Sequence, residues 1–329
     1  MALSNKRKVA FIGTGIMGAP IAGHLLDAGY GLTVHTRTRS KAEDLLARGA
    51  AWAASPAEVA RDADVVFTML GYPSDVEDVY LATDGLLRAT KRGAWLIDRT
   101  TSSPSLARDI HDAAEIEDKH AFDCPVTGGQ AGAVEGTLTL MAGIAQKDAE
   151  PVLPLLQTFS SQIHWFEQPG AGQVAKLCNQ VSLASSLAGA AEMLALAEQA
   201  GLSPEAVAKV VGAGMGGSAQ LTRVMPAALE GNYQPGFMAE HLRKDLMLAL
   251  GAAEDMELSM PATETVLNLV DMLCQVGGGR LGTQALALLY ADEATSTAAG
   301  LDWGLVAADP APEQSPARQR YFVNTTNHL

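Results

Sequence analysis

Lys176 and Asn179 stand three residues apart in the run Gly170-Ala171-Gly172-Gln173-Val174-Ala175-Lys176-Leu177-Cys178-Asn179-Gln180. That spacing puts both on one face of a helix. A lysine held beside a carbonyl can donate a proton as hydride arrives, or remove one from an alcohol in reverse, if its surroundings tune its pKa towards neutrality. A second group, Thr127-Gly128-Gly129, offers a hydroxyl followed by two small residues whose N–H groups can cradle a carboxylate. Hydride chemistry needs a carrier, and Gly13-Thr14-Gly15-Ile16-Met17-Gly18 fits G-x-G-x-x-G. The three glycines of that pattern allow a tight turn, close approach of backbone to a pyrophosphate, and close packing of helix on strand. The pyrophosphate then rests at the positive end of the helix that starts near Ile16.

The choice of nucleotide is made about 20 residues further on, where NAD enzymes usually place an acid for the ribose 2′-OH. Here the stretch is His35-Thr36-Arg37-Thr38-Arg39-Ser40-Lys41, with no acid and with Arg37, Arg39 and Lys41 as cations. A guanidinium holds a 2′-phosphate by two parallel hydrogen bonds. NADP is therefore the expected cofactor, with NAD as the alternative; Thr36, Arg37 and Thr38 are its candidate contacts. The same residues would also make an ordinary solvated basic turn.

The elements that must position these groups alternate in the first half. Lys8 to Ile12 reads as a strand and Ile16 to Ala28 as a helix; further strands are expected at 32–34, 64–70, 94–98, 121–123 and 138–143. Helices are expected at 41–48, 104–117 and 147–158. Alternation of this kind implies a mostly parallel sheet covered on both faces. After Pro169-Gly170 the pattern becomes helical: a long apolar helix over 174–200, a capped start at Ser203-Pro204-Glu205, and helices at 241–256 and 261–276. The glycine clusters 212–217 and 277–279 follow helices and read as loops. The expected organisation is α/β: a Rossmann-type nucleotide domain over 1–169, an all-helical domain over 170–308 joined to it by the long helix, and a flexible Pro-rich tail over 309–329.

Composition narrows the function. The chain has 329 residues, twice or more what one core usually supports, and is 48% hydrophobic with 18% charged residues. Its formal charge of −14 disfavours nucleic acid and anionic lipid as partners. Cys124, Cys178 and Cys274 have no metal-ligand spacing, nor do the histidines, so no metal site is assigned. Cys178 is expected to pack in the core. With no spanning segment or signal-peptide pattern, the expectation is a cytoplasmic protein without a membrane partner. The apolar helical half points to a homodimer or homotetramer.

Four segments in order, Gly13 to Gly29, Asp123 to Gly143, Gly170 to Gln180 and Arg243-Lys244-Asp245-Leu246, resemble the motifs of the β-hydroxyacid dehydrogenases. That family includes 3-hydroxyisobutyrate dehydrogenase, tartronate semialdehyde reductase and the glyoxylate/succinic semialdehyde reductases. The resemblance covers about residues 8 to 300. It implies that Lys176 is the general acid/base, that Asn179 helps hold the substrate, and that Thr127, Gly128 and Gly129 bind its carboxylate. Met69, Leu70 and Thr101 would line the nucleotide, Lys244 would lie near cofactor and substrate with Asp245 orienting it, and Arg37 falls where NADPH-preferring members have arginine. The implied reaction is hydride transfer between NADP(H) and a small 3-hydroxy acid or semialdehyde, in a cleft between the domains. Thr127 stands where serine is commoner, and Cys124, Gln180 and Gly71 also depart from the usual pattern. Related imine reductases generally lack the lysine; a non-catalytic NADP-binding protein would need neither Lys176 nor Asn179.

Overall fold

The strand Lys8–Ile12 (β1) buries alternate side chains in opposite layers: Val9 and Phe11 enter one hydrophobic core, Ala10 and Ile12 another. A strand apolar on both faces belongs inside a covered parallel sheet. The computed structural model, which describes residues 7–307, places it there. Gly31–His35 (β2), Ala51–Trp52 (β3), Val65–Thr68 (β4), Trp95–Asp98 (β5) and His120–Asp123 (β6) complete a six-stranded parallel sheet of order β3-β2-β1-β4-β5-β6. The direction of winding reverses between β1 and β4, which opens a crevice beyond their C-terminal ends. The expected tail over 309–329 lies outside the described residues.

Several expected boundaries move. The first helix runs Gly18–Asp27 rather than from Ile16, because residues 15–17 are taken up by the glycine turn. Residues 41–48 divide into a 3-10 turn, Arg39–Ala42, and a short helix, Glu43–Ala47. The helix expected over 147–158 is two pieces, Gln146–Ala149 and Leu153–Leu156. Pro151, with no N–H to donate, interrupts it. Leu138–Ala142 (β8) does not join the main sheet. It pairs antiparallel with Val126–Thr127 (β7) and parallel with Ser160–Trp165 (β9) in a separate sheet of order β7-β8-β9. Neither β3 nor β9 was expected.

The helical half is built on Ala171–Gln199, a helix of 29 residues and so about 43 Å long. It is apolar enough by length and hydropathy to cross a membrane, yet it serves as a core rod. Its first turns pack on β6, β7, β8 and the helix Pro104–Ile116. Further along, Ala184, Leu187, Ala191 and Leu194 share a core with Leu242 and Leu246 of helix Ala239–Asp255, Val266 and Val270 of helix Pro261–Gln275, and Leu286. Cys178, expected to pack, is exposed; it faces away from the groups that bury Lys176 and Leu177.

Candidate active site

The glycine turn lies at the crevice between β1 and β4. Gly13 donates to His35 O (2.8 Å), and Met69, just past β4, donates to Ile12 O (2.9 Å). A Cβ on Gly13 would stand 2.1 Å from Met69 O, and one on Gly18 would stand 1.8 Å from Gly13 O. Both positions therefore need glycine for the protein's own packing. Gly15 differs: a Cβ there would meet nothing within 4 Å, and the residue is exposed. Its bareness leaves backbone open to a ligand. Thr14 is buried, and its Oγ1 has no partner among the described residues. Ile16 is exposed, Met17 half-buried, and the helix from Gly18 has no acid in its first turn. Orphan N–H groups, a positive helix end and an open glycine fit a pyrophosphate.

Thr36, Arg37 and Thr38 follow β2 at the outer end of this crevice, Thr36 half-buried and the other two exposed. Arg37 Nη1 donates to Asp75 Oδ1 at 3.1 Å. Asp75 was not singled out from the sequence. Arg39 lies over the ring of Trp52, its Cζ 5.6 Å from the centroid.

Two loops beyond β4 and β5 are tied together. Leu70 donates from its backbone N to Thr100 Oγ1 (2.9 Å), and Thr100 N donates to Asp98 Oδ1 (3.0 Å), which also accepts from Thr68 Oγ1 (2.8 Å). Asp98 is buried, and desolvation, only partly offset by those donors, raises its pKa to about 6. The long helix docks on the same loops through Gln173. Its Oε1 accepts from Ser102 N (2.9 Å) and its Nε2 donates to Thr100 O (2.8 Å). Asp123, the last residue of β6, accepts from Gly170 N (2.8 Å) and Gln173 N (2.7 Å) and so caps the helix. Burial pushes its carboxyl up, opposed by those two donors. Gly143 and Gly172 give it room, since a Cβ on either would come within 2.8 Å of a carboxylate oxygen of Asp123.

Lys176 sits less than two turns along this rod, only 8% exposed. Desolvation lowers its pKa from 10.5 to about 8; Asp245 pulls it up and Lys244 pushes it further down. Among the described residues its ammonium has no hydrogen bond or ion pair. Asp245, 2% exposed, accepts from Gln180 Nε2 (2.6 Å) and has an oxygen 2.9 Å from Lys244 Nζ. Lys244 Nζ also donates to Thr101 O (2.6 Å), bridging from the helical half to the loop after β5. Asn179, half-buried, donates to Gln180 Oε1 (2.8 Å). Lys176, Asn179, Gln180, Lys244, Asp245 and Thr101 thus form one cluster beside the crevice.

The turn Thr127-Gly128-Gly129 is joined to that cluster by the packing of β7 on the long helix, and no hydrogen bond links it to Lys176 or Asn179 among the described residues. Thr127 is half-buried; Gly128 and Gly129 are exposed with φ of +131° and +64°, values that a side chain would strain. Residues 36–38 lie apart from that cluster, directly after β2. Asp123, Gln173 and Gln180 were within quoted motifs but were not given roles. The available signal was a polar side chain in apolar surroundings, Asp123 at the end of an apolar strand and Gln173 and Gln180 on the largely apolar start of the long helix.

Residues 8–166 match the model of the NAD binding domain of 6-phosphogluconate dehydrogenase. Residues 170–290 match that described as NAD-binding of NADP-dependent 3-hydroxyisobutyrate dehydrogenase. The NAD-dependent L-serine dehydrogenase of Pseudomonas aeruginosa is 38% identical over 278 residues, covering 82% of this chain and 93% of the relative. The 3-hydroxyisobutyrate dehydrogenase of the same organism is 36% identical over 274 residues, covering 81% and 92%. The solved structure of Mycobacterium tuberculosis 3-hydroxyisobutyrate dehydrogenase with L-serine superposes with a TM-score of 0.78 at 29% identity, covering 87% of this chain and all of that one. With its nucleotide fold, its helical half and these relatives, the chain belongs to the β-hydroxyacid dehydrogenase family, as an NAD(P)-binding oxidoreductase of the 3-hydroxyisobutyrate dehydrogenase type.

Proposed function

We propose that this chain interconverts a small 3-hydroxy acid and its semialdehyde, with NADP(H) preferred over NAD(H) and Lys176 as general acid/base. The observation that carries the reading is a buried lysine with a pKa near 8, on a helix docked to the nucleotide crevice. Bound nicotinamide supplies or accepts the hydride. In reduction, protonated Lys176 donates to the carbonyl oxygen as it becomes an alkoxide; in oxidation, the neutral amine takes the hydroxyl proton. Asn179 orients the same oxygen. Thr127 with the N–H groups of Gly128 and Gly129 holds the carboxylate, which fixes the distance from carboxylate to reacting carbon. The relatives' names support a 3-hydroxy acid, since 3-hydroxyisobutyrate and L-serine both carry the hydroxyl on the carbon beyond the α-carbon.

The glycine turn would hold the pyrophosphate, and Thr36, Arg37 and Thr38 the 2′-phosphate, with Met69, Leu70, Thr101 and Lys244 along the remaining length. A homo-oligomer is supported by large apolar side chains exposed on the helical half, among them Leu196, Val210 and Met215. The test is oxidation of NADPH and NADH with methylmalonate, tartronate and succinic semialdehydes and glyoxylate, in parallel with Lys176→Ala. Turnover of at least one of these acids, lost about 10²- to 10⁴-fold in the variant, is expected. A fully active variant would overturn the role of Lys176.

A further inference from the structure

The ion pair between Arg37 and Asp75 sets a carboxylate where the nucleotide reading above needs a cation. Asp75 is anchored: it lies in the first turn of the helix Pro73–Leu81, and its Oδ2 accepts from Tyr72 N (3.2 Å), bracing the loop that follows β4. Its side chain is 23% exposed, whereas that of Arg37 is 84% exposed. Arg37 is therefore the partner free to move, and the negative charge stays where the helix fixes it. The guanidinium has five N–H donors and uses one nitrogen on Asp75.

We infer that Asp75 is a specificity-determining residue that restrains the preference for NADP and lets the same site take NAD. The inference rests on the reading of Arg37 as the 2′-phosphate contact. With NAD bound, Arg37 keeps Asp75 as its counter-ion. With NADP bound, the phosphate dianion competes for a guanidinium already partnered by an exposed, weak ion pair and wins it. It remains beside a carboxylate that cannot swing away, and like charges at that range repel through water by roughly the equivalent of a five- to tenfold loss in affinity. Asp75 thus cancels part of what Arg37 contributes.

Asp75→Asn removes the charge and keeps an oxygen for Tyr72 N; Asp75→Ser also caps helices and is shorter. Both variants, with Arg37→Ala and the parent, would be compared by kcat/KM for NADPH and NADH and by direct binding of NADP+ and NAD+. The expectation is that both Asp75 variants raise the NADPH/NADH ratio of kcat/KM about five- to tenfold, through KM rather than kcat, with the gain shrinking as salt is added. A purely structural role would change the two nucleotides alike. A ratio that is unchanged or lower in both Asp75 variants, while Arg37→Ala selectively weakens NADPH, overturns the inference and spares the cofactor reading. If Arg37→Ala weakens both nucleotides equally, the cofactor reading fails and the inference falls with it.

Discussion

Asp123 accepts hydrogen bonds from the backbone of Gly170 and Gln173, so a carboxylate at the end of a sheet strand caps the helix that carries Lys176. The position of the lysine relative to the crevice is thereby set from β6. Asp123→Ala should cost about 2–4 kcal/mol, since it strands two buried N–H groups and removes a cap. Asp123→Asn, which keeps one acceptor, should cost less. Urea unfolding of the two variants distinguishes these outcomes. Gly143→Ala should behave like Asp123→Ala, because its Cβ would lie 2.1 Å from Asp123 Oδ1.

The lowered pKa of Lys176 has two readouts. In the reducing direction kcat/KM should fall as pH rises through about 8, and in the oxidising direction it should rise through the same value. Stability carries the opposite mark. The folded pKa lies below the unfolded value, so the unfolded chain binds more protons between about 8 and 10.5, and the penalty of the buried charge is fully present below 8. Lys176→Met should then be inactive yet more stable by up to about 3 kcal/mol at neutral pH, the advantage fading as pH approaches the unfolded lysine's value. Thermal melts across pH check this; a destabilised Lys176→Met at pH 7 would contradict it.

The two neighbours of Lys176 act on it in opposite senses. Asp245→Asn removes the charge that raises the pKa, so the limb of the pH profile should move to lower pH. Lys244→Met removes the charge that lowers it and should move the limb to higher pH. The readout is the position of the limb, not its height, because Lys244 also bridges to Thr101. Shifts in the same direction would refute the electrostatic account.

The glycines of the first turn should separate by experiment. Gly18→Ala and Gly13→Ala put a Cβ within about 2 Å of backbone oxygens and should fold poorly, by the several kcal/mol that forced backbone shifts cost. Gly15→Ala meets no protein atom, so its melting temperature should stay near the parent's while nucleotide affinity falls at least tenfold. Isothermal titration together with thermal melts tells the cases apart.

The main sheet and the long helix were legible because their signals are local: apolar runs ended by glycine, and a long stretch without breakers. What escaped was set by pairing across the chain. Ala51–Trp52 is too short to show a period, and Ser160–Trp165 alternates only weakly, its pattern overridden by its place beside β8. The site divided in the same way. Lys176 and the glycine turn declare themselves by type and spacing, whereas Asp123, Gln173 and Asp75 have partners 38 to 73 residues distant and look ordinary in the linear chain.

Gln173, clamped between Ser102 N and Thr100 O, changes what the join at Pro169-Gly170 can do. A glycine after a proline between two architectures looks like a hinge, but here the flanking amide of Gly170 is bonded to Asp123 and the next turn is bolted to the loop after β5. Mechanically, Lys176 rides with the nucleotide half. Asp245, bonded to Gln180 of the same helix, and Lys244, bonded to Thr101 O, are tied to that half as well, so the two charges that act on the lysine keep their places relative to it.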